Sequence, residues 1–166
     1  PRLFPQMTVL ENVTVGAVFG DGTARLTAAA ARRRAAAMLA LVGLEPRAAH
    51  PVATLTLQQR KLVDFARALA AHPEVVLVDE VMSGLNPAEV ESCIQLLRRV
   101  RDEWQVAILW VEHVMHAIMG TADRVLVMDR GRLIAAGSPA EVASDPAVVT
   151  AYLGVSDPAQ ALAAGS

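Results

Sequence analysis

Cysteine, lysine and long apolar runs are all scarce in this 166-residue sequence. The single cysteine, Cys93, excludes an internal disulfide framework and fits a reducing compartment. No stretch of about 20 apolar residues is free of charge, so we expect no membrane-spanning helix. Lysine occurs once, at Lys61, and the other fourteen of the fifteen basic residues are arginines. This shortage of lysine limits where a phosphate-binding loop could be.

An excess of charge of one sign is also lacking. Fifteen basic residues face seventeen acidic ones, for a net charge of −2. This balance gives no electrostatic reason to expect a nucleic-acid partner, and we predict none. Hydrophobic residues make up 54% of the chain, which excludes a disordered protein and is enough for one domain with a sizeable core.

The pattern along the chain alternates between helices and strands. Helices are expected over 24–42 and 57–71, a strand over 75–78, a helix from Pro87 to about Glu103, and a strand over 106–111. A short helix to about Met119, strands over 124–128 and 133–136 with a hairpin turn between them, and helices after Ser138 and Asp145 complete the pattern. The alternation predicts an α/β fold with a mainly parallel sheet.

Acidic residues directly follow two of the predicted strands. Asp79 and Glu80 come after the first strand, and Glu112 and His113 after the second. Ligands of parallel α/β sheets bind at the carboxyl ends of the strands. Two adjacent carboxylates at a buried strand end repel each other and lose hydration, a cost that Mg²⁺ would offset. The pair therefore predicts a Mg²⁺ site with a carboxylate that acts on a water, and a solvated strand end is the alternative.

Helix caps are expected where Thr56 precedes Gln59, Asn86 precedes Glu89 and Ser138 precedes Glu141. Thr56 is the N-cap and Gln59 the third helical residue, so the following helix has a well-formed N-terminus. Helix N-termini attract phosphate through unpaired N–H groups and the helix dipole. An ordinary capped helix is the alternative interpretation of this segment.

Four segments stand at ordered spacings: residues 75–80 (VVLVDE), residues 83–87 (SGLNP), His113, and residues 55–69 (LTLQQRKLVDFARAL). They resemble, in turn, the Walker B motif with its catalytic glutamate, the D-loop, the switch histidine and the signature segment of ABC-type ATPases. Residues 3–13 (LFPQMTVLENV), 136–142 and 151–154 resemble the ATP-binding subunits of branched-chain amino-acid importers in particular. The resemblance covers about residues 1–154 and implies a partial P-loop NTPase fold, with a helical subdomain beside the sheet.

The resemblance also implies a role for each matching residue. Asp79 would hold Mg²⁺ through water, Glu80 would polarise the attacking water, and His113 would contact the γ-phosphate of ATP. The signature residues would close on ATP bound to a second ATP-binding subunit, and the D-loop would touch that subunit. The signature residues are Leu55, Thr56, Leu57, Gln58 and Gln59, and the D-loop residues are Ser83, Gly84, Leu85 and Asn86.

The sequence departs from the family pattern in two places. It has no G-x-x-x-x-G-K-[S/T] loop, because Lys61 lies inside the predicted signature helix, and it lacks the family's glutamine loop. The chain also opens on Pro1, so we expect an N-terminally truncated ATPase. Leu57 and Gln58 replace the two glycines of the usual Leu-Ser-Gly-Gly-Gln signature, which adds side chains where backbone must approach phosphate.

Four segments with separate tasks are expected from this resemblance. Residues 1–72 would form a helical subdomain with the signature helix, and 73–137 the C-terminal half of the ATPase core. Residues 138–154 would form C-terminal helices, and 155–166 a flexible tail. The complete protein would hydrolyse ATP to power import of branched-chain or related amino acids. It would act with transmembrane permease subunits at the cytoplasmic face of the inner membrane, while the fragment alone would be inactive.

Three other functions fit parts of the pattern. A metal hydrolase could use Glu112, His113 and His116, since histidines three residues apart can share a helix face, although the spacing matches neither H-E-x-x-H nor its inversion. An interaction module without a phosphate loop is a second alternative. An ABC-type ATPase with another task, such as export or DNA repair, is the third.

Overall fold

A computed structural model describes residues 3–20 and 26–153 of the chain. Its helices are α1 (Val9–Phe19), α2 (Ala28–Leu41), α3 (Leu57–Ala70), α4 (Pro87–Trp104), α5 (Met115–Met119), α6 (Pro139–Ala143) and α7 (Pro146–Leu153). Its strands are β1 (Val75–Asp79), β2 (Ala107–Val111), β3 (Val125–Asp129) and β4 (Arg132–Gly137), with short 3₁₀ turns at Glu45–Arg47 and Val52–Thr54. The predicted α/β class is confirmed. The predicted tail over 155–166 lies outside the described residues.

The contacts divide the chain into two compact units. The first lies within Pro1–Ser83 and Gln95–Val111, and the second within Gly84–Ile94 and Glu112–Ser166. The four functional segments expected from the sequence stay a prediction. No helix in the described ranges combines the length and the apolar character that a membrane span needs.

Helices α1, α2 and α3 pack together as the core of the first unit. Val13, Met38 and Val63, one from each helix, are fully buried. The backbones approach closely at Gly16, where a Cβ atom would lie 2.1 Å from the carbonyl oxygen of Arg67. A larger residue at position 16 would therefore push α1 away from α3.

Asn12 is a fully buried polar residue in this helical core. Its Oδ1 accepts a hydrogen bond from the Phe4 N–H at 2.8 Å. Its Nδ2 donates to the carbonyl oxygens of Phe4 and Thr8, both at 3.0 Å. A buried amide with these partners ties the segment ahead of α1 to the helix itself.

Strands β1 and β2 form a parallel pair in the first unit, as the sequence predicts. The β-branched run of β1 alternates in burial, with Val76 and Val78 inside. The other face of the pair is exposed and apolar, since Leu77 is 73% exposed and lies opposite Leu109, which is 54% exposed. One face of the strand pair thus presents exposed apolar side chains.

Strands β3 and β4 form an antiparallel hairpin in the second unit. Arg130 and Gly131 at the turn both have positive φ, at 45° and 78°, as a type I′ turn requires. The predicted hairpin is therefore confirmed. One face of the hairpin packs on a small core of Val125, Val142 and Val148.

Reciprocal caps fix the starts of four helices. The three caps named from the sequence are confirmed: Thr56 with Gln59, Asn86 with Glu89, and Ser138 with Glu141. The fourth, Thr8 with Glu11 at the start of α1, follows the same Thr-x-x-Glu pattern and was not predicted. Helix α2 starts at Ala28 behind a Thr27 cap.

The acidic caps predict a pH dependence of stability. The backbone N–H of Thr8, and after it the Thr8 hydroxyl, hold the pKa of Glu11 below its ordinary value of 4.5. Ser138 lowers the pKa of Glu141 in the same way. A carboxylate whose pKa is lowered in the folded state contributes its full stabilisation of that state above about pH 4.5, the ordinary pKa. This stabilisation is lost as the pH falls through the lowered pKa of the folded state. Urea unfolding between about pH 6 and pH 3 should show this loss.

The matched variants for this measurement are Glu11→Gln and Glu141→Gln. A glutamine can replace the carboxylate in a capping box, as Gln59 does at α3. Each variant should therefore keep its helix while flattening the acid side of the stability curve. An acid slope unchanged in the double variant would contradict this assignment.

Candidate functional site

The end of β1 places Asp79 and Glu80 beside β2. Asp79 pairs with Val111 in the parallel register, and the Glu80 N–H donates to the Val111 carbonyl oxygen at 2.9 Å. The chain is thus held to β2 for one residue beyond the last paired position. The backbone of the candidate catalytic glutamate is thereby fixed by the sheet.

Glu80 has a left-handed backbone conformation, with φ at 45°. Residues with a Cβ atom adopt this conformation at a cost of about 1–2 kcal/mol. Such strain persists where surrounding structure imposes it, and it concentrates at functional sites. The hydrogen bond to Val111 is one contact that imposes it here.

Both carboxylates at this strand end are exposed to solvent. The sequence argument that they lose hydration at a buried strand end is therefore wrong for the described structure, because β1 ends at the surface. The donor chemistry still fits Mg²⁺, which binds one or two carboxylates and otherwise keeps water and phosphate oxygens as ligands. Within residues 3–20 and 26–153, no three acidic, histidine or cysteine side chains cluster closely enough to hold a metal by themselves.

Replacing Glu80 with glycine should stabilise the chain while removing the candidate catalytic group. Glycine accepts positive φ without the steric cost, partly offset by its greater freedom in the unfolded state. We expect Glu80→Gly to raise the free energy of unfolding by about 0.5–1 kcal/mol, measured by urea titration. Gln105→Gly is the matched control, since Gln105 also has positive φ (53°) and lies outside the candidate site. If Glu80→Gly lowers the free energy of unfolding while Gln105→Gly does not, the backbone at Glu80 is not strained.

The D-loop candidates follow as a turn and a helix cap. The Ser83 N–H lies 3.4 Å from the Glu80 carbonyl oxygen, and Gly84 has φ at 80°. Asn86 then caps α4: its Oδ1 accepts from the Glu89 N–H at 3.0 Å, and its own N–H donates to Glu89 at 2.9 Å. Leu85, between them, is half-buried. The cap thus fixes the end of this segment, while its role at a second subunit stays a prediction.

His113 lies in the loop ahead of α5, in the second unit. Its side chain is 62% exposed, whereas that of the neighbouring Glu112 is completely buried. The His113 N–H donates to Glu112 Oε2 at 3.1 Å, and the same oxygen lies 3.6 Å from His113 Nδ1. The family resemblance assigns His113 to the γ-phosphate of ATP. Glu112 was considered in the sequence only as a residue of the alternative metal hydrolase.

The helix face proposed for a metal hydrolase does not form as expected. Helix α5 begins at Met115, so His113 precedes the helix that carries His116. Histidines three residues apart meet on one face only where both are helical. His113 and His116 therefore do not share a helix face, which the metal-hydrolase alternative requires.

The signature segment forms the start of α3. Thr56 Oγ1 accepts from the Gln59 N–H at 3.2 Å, and Gln59 Oε1 accepts from the Thr56 N–H at 3.1 Å. Leu55 is buried, and Leu57, at the position of the first missing glycine, is 66% exposed. Gln58, at the position of the second missing glycine, is half-buried. A large apolar side chain thus stands at the helix N-terminus that the resemblance assigns to phosphate.

Comparison with known proteins identifies the family. A sequence profile described as ABC transporter matches residues 1–83, and one described as branched-chain amino acid ATP-binding cassette transporter matches residues 132–158. The chain belongs to the ABC transporter family. This confirms the resemblance drawn from the Walker B, D-loop and signature segments.

Curated relatives include importers of different amino acids. The high-affinity branched-chain amino acid transport ATP-binding protein LivG of Salmonella typhimurium is 34% identical over 92% of this chain. The methionine import ATP-binding protein MetN 1 of Shouchella clausii is 35% identical over 87% of it. The chain spans 64% of the LivG relative and 41% of the MetN relative. Sequence similarity therefore does not single out one substrate.

Solved structures share the fold. The chain superposes on cbiO1 of Clostridium perfringens, part of the transporter complex cbiONQ, with a TM-score of 0.77 and 28% identity, covering 99% of this chain and 63% of that one. It also matches the ATP-binding cassette MJ0796, a dimer bound to ADP and Pi, with a TM-score of 0.72 and 27% identity, covering 83% and 59% of the two chains. The P-loop NTPase fold expected from the sequence is thus confirmed.

Proposed function

We propose that this chain supplies the hydrolytic half of an ATP-binding subunit that powers amino-acid import. The observation that carries the proposal is the end of β1, where Asp79 and Glu80 stand exposed and the sheet fixes the Glu80 backbone. A fixed carboxylate next to a candidate Mg²⁺ ligand suits hydrolysis of a phosphoanhydride by a positioned water.

Each residue has a separate task in this proposal. Glu80 accepts a proton from the attacking water and orients it. His113 donates a hydrogen bond to the γ-phosphate, because its exposed ring is accessible to a ligand. Asp79 would hold Mg²⁺, which would supply positive charge to neutralise the phosphate. Catalysis is positioning and electrostatic stabilisation, with no covalent intermediate.

A second ATP-binding subunit completes the site. Residues 55–59 of this chain close on ATP held by the partner, and residues 83–86 contact the partner directly. The dimeric MJ0796 structure and the family resemblance support this arrangement. The exposed Leu57 keeps backbone from close approach to phosphate, so we expect a weaker contact here than a glycine signature makes.

Branched-chain amino acids are the proposed cargo. The similarity to LivG and the match of residues 132–158 to the branched-chain transporter profile support this choice. Permease subunits would span the membrane, and this chain would bind at its cytoplasmic face. An ATPase with another transport task is the alternative, which the MetN similarity keeps open.

Calorimetric titration with Mg-ATP tests the proposal. The 166-residue chain would be compared with a version extended upstream through any phosphate-binding loop encoded ahead of Pro1. We expect only the extended chain to bind, because this sequence has no Gly-rich loop ending in lysine. Tight binding by the short chain would overturn this assignment of the nucleotide site. Absence of binding by both would favour an interaction module.

A further inference from the structure

Charge is segregated along this chain, although its total is close to neutral. Residues 1–72 contain nine basic and four acidic residues, a net charge of +5. Residues 73–166 contain six basic and thirteen acidic residues, a net charge of −7. A strong asymmetry of charge within one chain points to an anionic partner for the basic part. None of the catalytic roles proposed above uses this asymmetry.

Helix α2 carries the densest part of the positive charge. Its only charged residues are Arg32, Arg33 and Arg34. The first two are exposed and the third is half-buried. The helix packs on α1 and α3 through its other side. The buried residues of that side are Ala31, Ala35, Met38, Leu39 and Leu41.

Alanines surround the arginines on the outside of α2. The other exposed residues of the helix are Ala28, Ala29, Ala36, Ala37 and Ala40. Positions 29, 33, 36 and 40 lie on one face at helical spacing, so Arg33 stands among alanines there. This face has no bulky apolar side chain to insert into a partner. A partner must therefore be held by charge, and it can approach the helix closely.

Little of this charge is neutralised by the chain itself. Hydrogen bonds from Thr8 are the main cause of the lowered pKa of Glu11, and the charge of Arg32 makes the last contribution. Within residues 3–20 and 26–153, no carboxylate forms an ion pair with Arg33 or Arg34. Both guanidinium groups are therefore left for a partner outside this chain.

We propose that the exposed face of α2, centred on Arg33, docks on a membrane surface that carries anionic phospholipid headgroups. A guanidinium group binds phosphate oxygens through two parallel N–H donors, which suits it to these headgroups. A flat layer of headgroups also fits a helix face without large side chains. The same headgroups repel the acidic residues 73–166, which favours docking through α2. The choice of a membrane over another anionic surface rests on the proposed function, in which this chain acts beside permease subunits.

Cosedimentation of the 166-residue chain with lipid vesicles tests the proposal. Vesicles of phosphatidylcholine with about one-third phosphatidylglycerol are compared with vesicles of phosphatidylcholine alone. We expect binding to the anionic vesicles only, and its loss between about 50 mM and about 500 mM salt, because salt screens charges. Binding to both kinds of vesicle would mean that exposed apolar surface, such as the outer face of β1 and β2, drives it. That result would overturn the proposal.

Variants of the three arginines measure what α2 contributes. Replacing Arg32, Arg33 and Arg34 together with glutamine should weaken binding to the anionic vesicles by about 10- to 100-fold, since each arginine near such a surface contributes about fivefold. Glutamine has nearly the helix propensity of arginine, so α2 should still form, which circular dichroism checks. Lysine at the same positions keeps the charge and should bind within about fivefold of the parent chain. Equal binding by parent and glutamine variant, or no recovery with lysine, would overturn the proposal.

The arginines of α4 provide the matched control. Replacing Arg98, Arg99 and Arg101 with glutamine removes the same charge from another helix segment of the first unit. Arg99 and Arg101 already pair with Glu103 and Asp102, so this variant should bind within about twofold of the parent chain. Equal weakening by both triple variants would mean that net charge controls binding, and would overturn docking through α2.

The vesicle assay also separates this proposal from the ATPase. No nucleotide is present, so an extended chain without ATPase activity would refute the proposed function and leave the vesicle result standing. Absence of binding to anionic vesicles by the folded chain at about 50 mM salt would overturn membrane docking. An acidic protein surface would then be the remaining partner for α2.

Discussion

Glu80→Gln in the extended chain should reduce the turnover of ATP by about 10²- to 10⁴-fold and leave binding of Mg-ATP intact. This range is the usual contribution of a positioned general base. Glutamine keeps the shape of the side chain but accepts no proton from water. The same backbone conformation, with φ at 45°, is imposed on either residue. Phosphate release measures turnover, and calorimetry measures binding.

Glu74→Gln is the matched control for this variant. Glu74 is an exposed glutamate directly ahead of β1, so its replacement changes the net charge equally at the opposite end of the same strand. It should leave turnover within about twofold of the parent protein. Robust hydrolysis by Glu80→Gln would refute the role assigned to Glu80. Loss of ATP binding in that variant would show that the carboxylate holds the nucleotide instead.

Asn12→Ala should lower the free energy of unfolding by about 2–3 kcal/mol, a large fraction of the stability of a small domain. The variant leaves the Phe4 N–H without its acceptor and opens a cavity at the fully buried position 12. Chemical denaturation of the 166-residue chain, followed by circular dichroism, gives the value.

Asn86→Ala provides the comparison for that measurement. Asn86 is exposed and caps α4, so its removal should cost about 1 kcal/mol, the usual value of an N-cap. A cost for Asn12→Ala no larger than for Asn86→Ala would mean that water replaces the buried amide, contrary to its complete burial.

Local chemistry explains what the sequence predicted well. Caps at Thr56, Asn86 and Ser138 depend on residues three apart, and the structure has each of them. The turn at Arg130 and Gly131 likewise needs only two residues that adopt positive φ. The Thr8 cap obeys the same rule, so the sequence contained a sufficient signal for it.

Tertiary contacts explain what the sequence did not predict. Burial of Asn12 depends on Phe4 reaching back to α1, and no local pattern predicts that contact. The exposure of Asp79 and Glu80 depends on what lies beyond the carboxyl end of β1 in space. The 3.6 Å approach of Glu112 Oε2 to His113 Nδ1 depends on how both side chains are oriented. The resemblance identified which residues to examine, but it could not supply these geometries.

The single lysine has a practical consequence for mapping assemblies. Lys61 is half-buried on α3, five residues after the Thr56 cap, and arginine does not react with amine-directed reagents. With an amine-directed reagent, any cross-link formed by a side chain of these 166 residues must therefore originate at Lys61 on the signature helix. A mass-spectrometric cross-link to another subunit would report directly what lies beside that helix, without ambiguity about the reacting position.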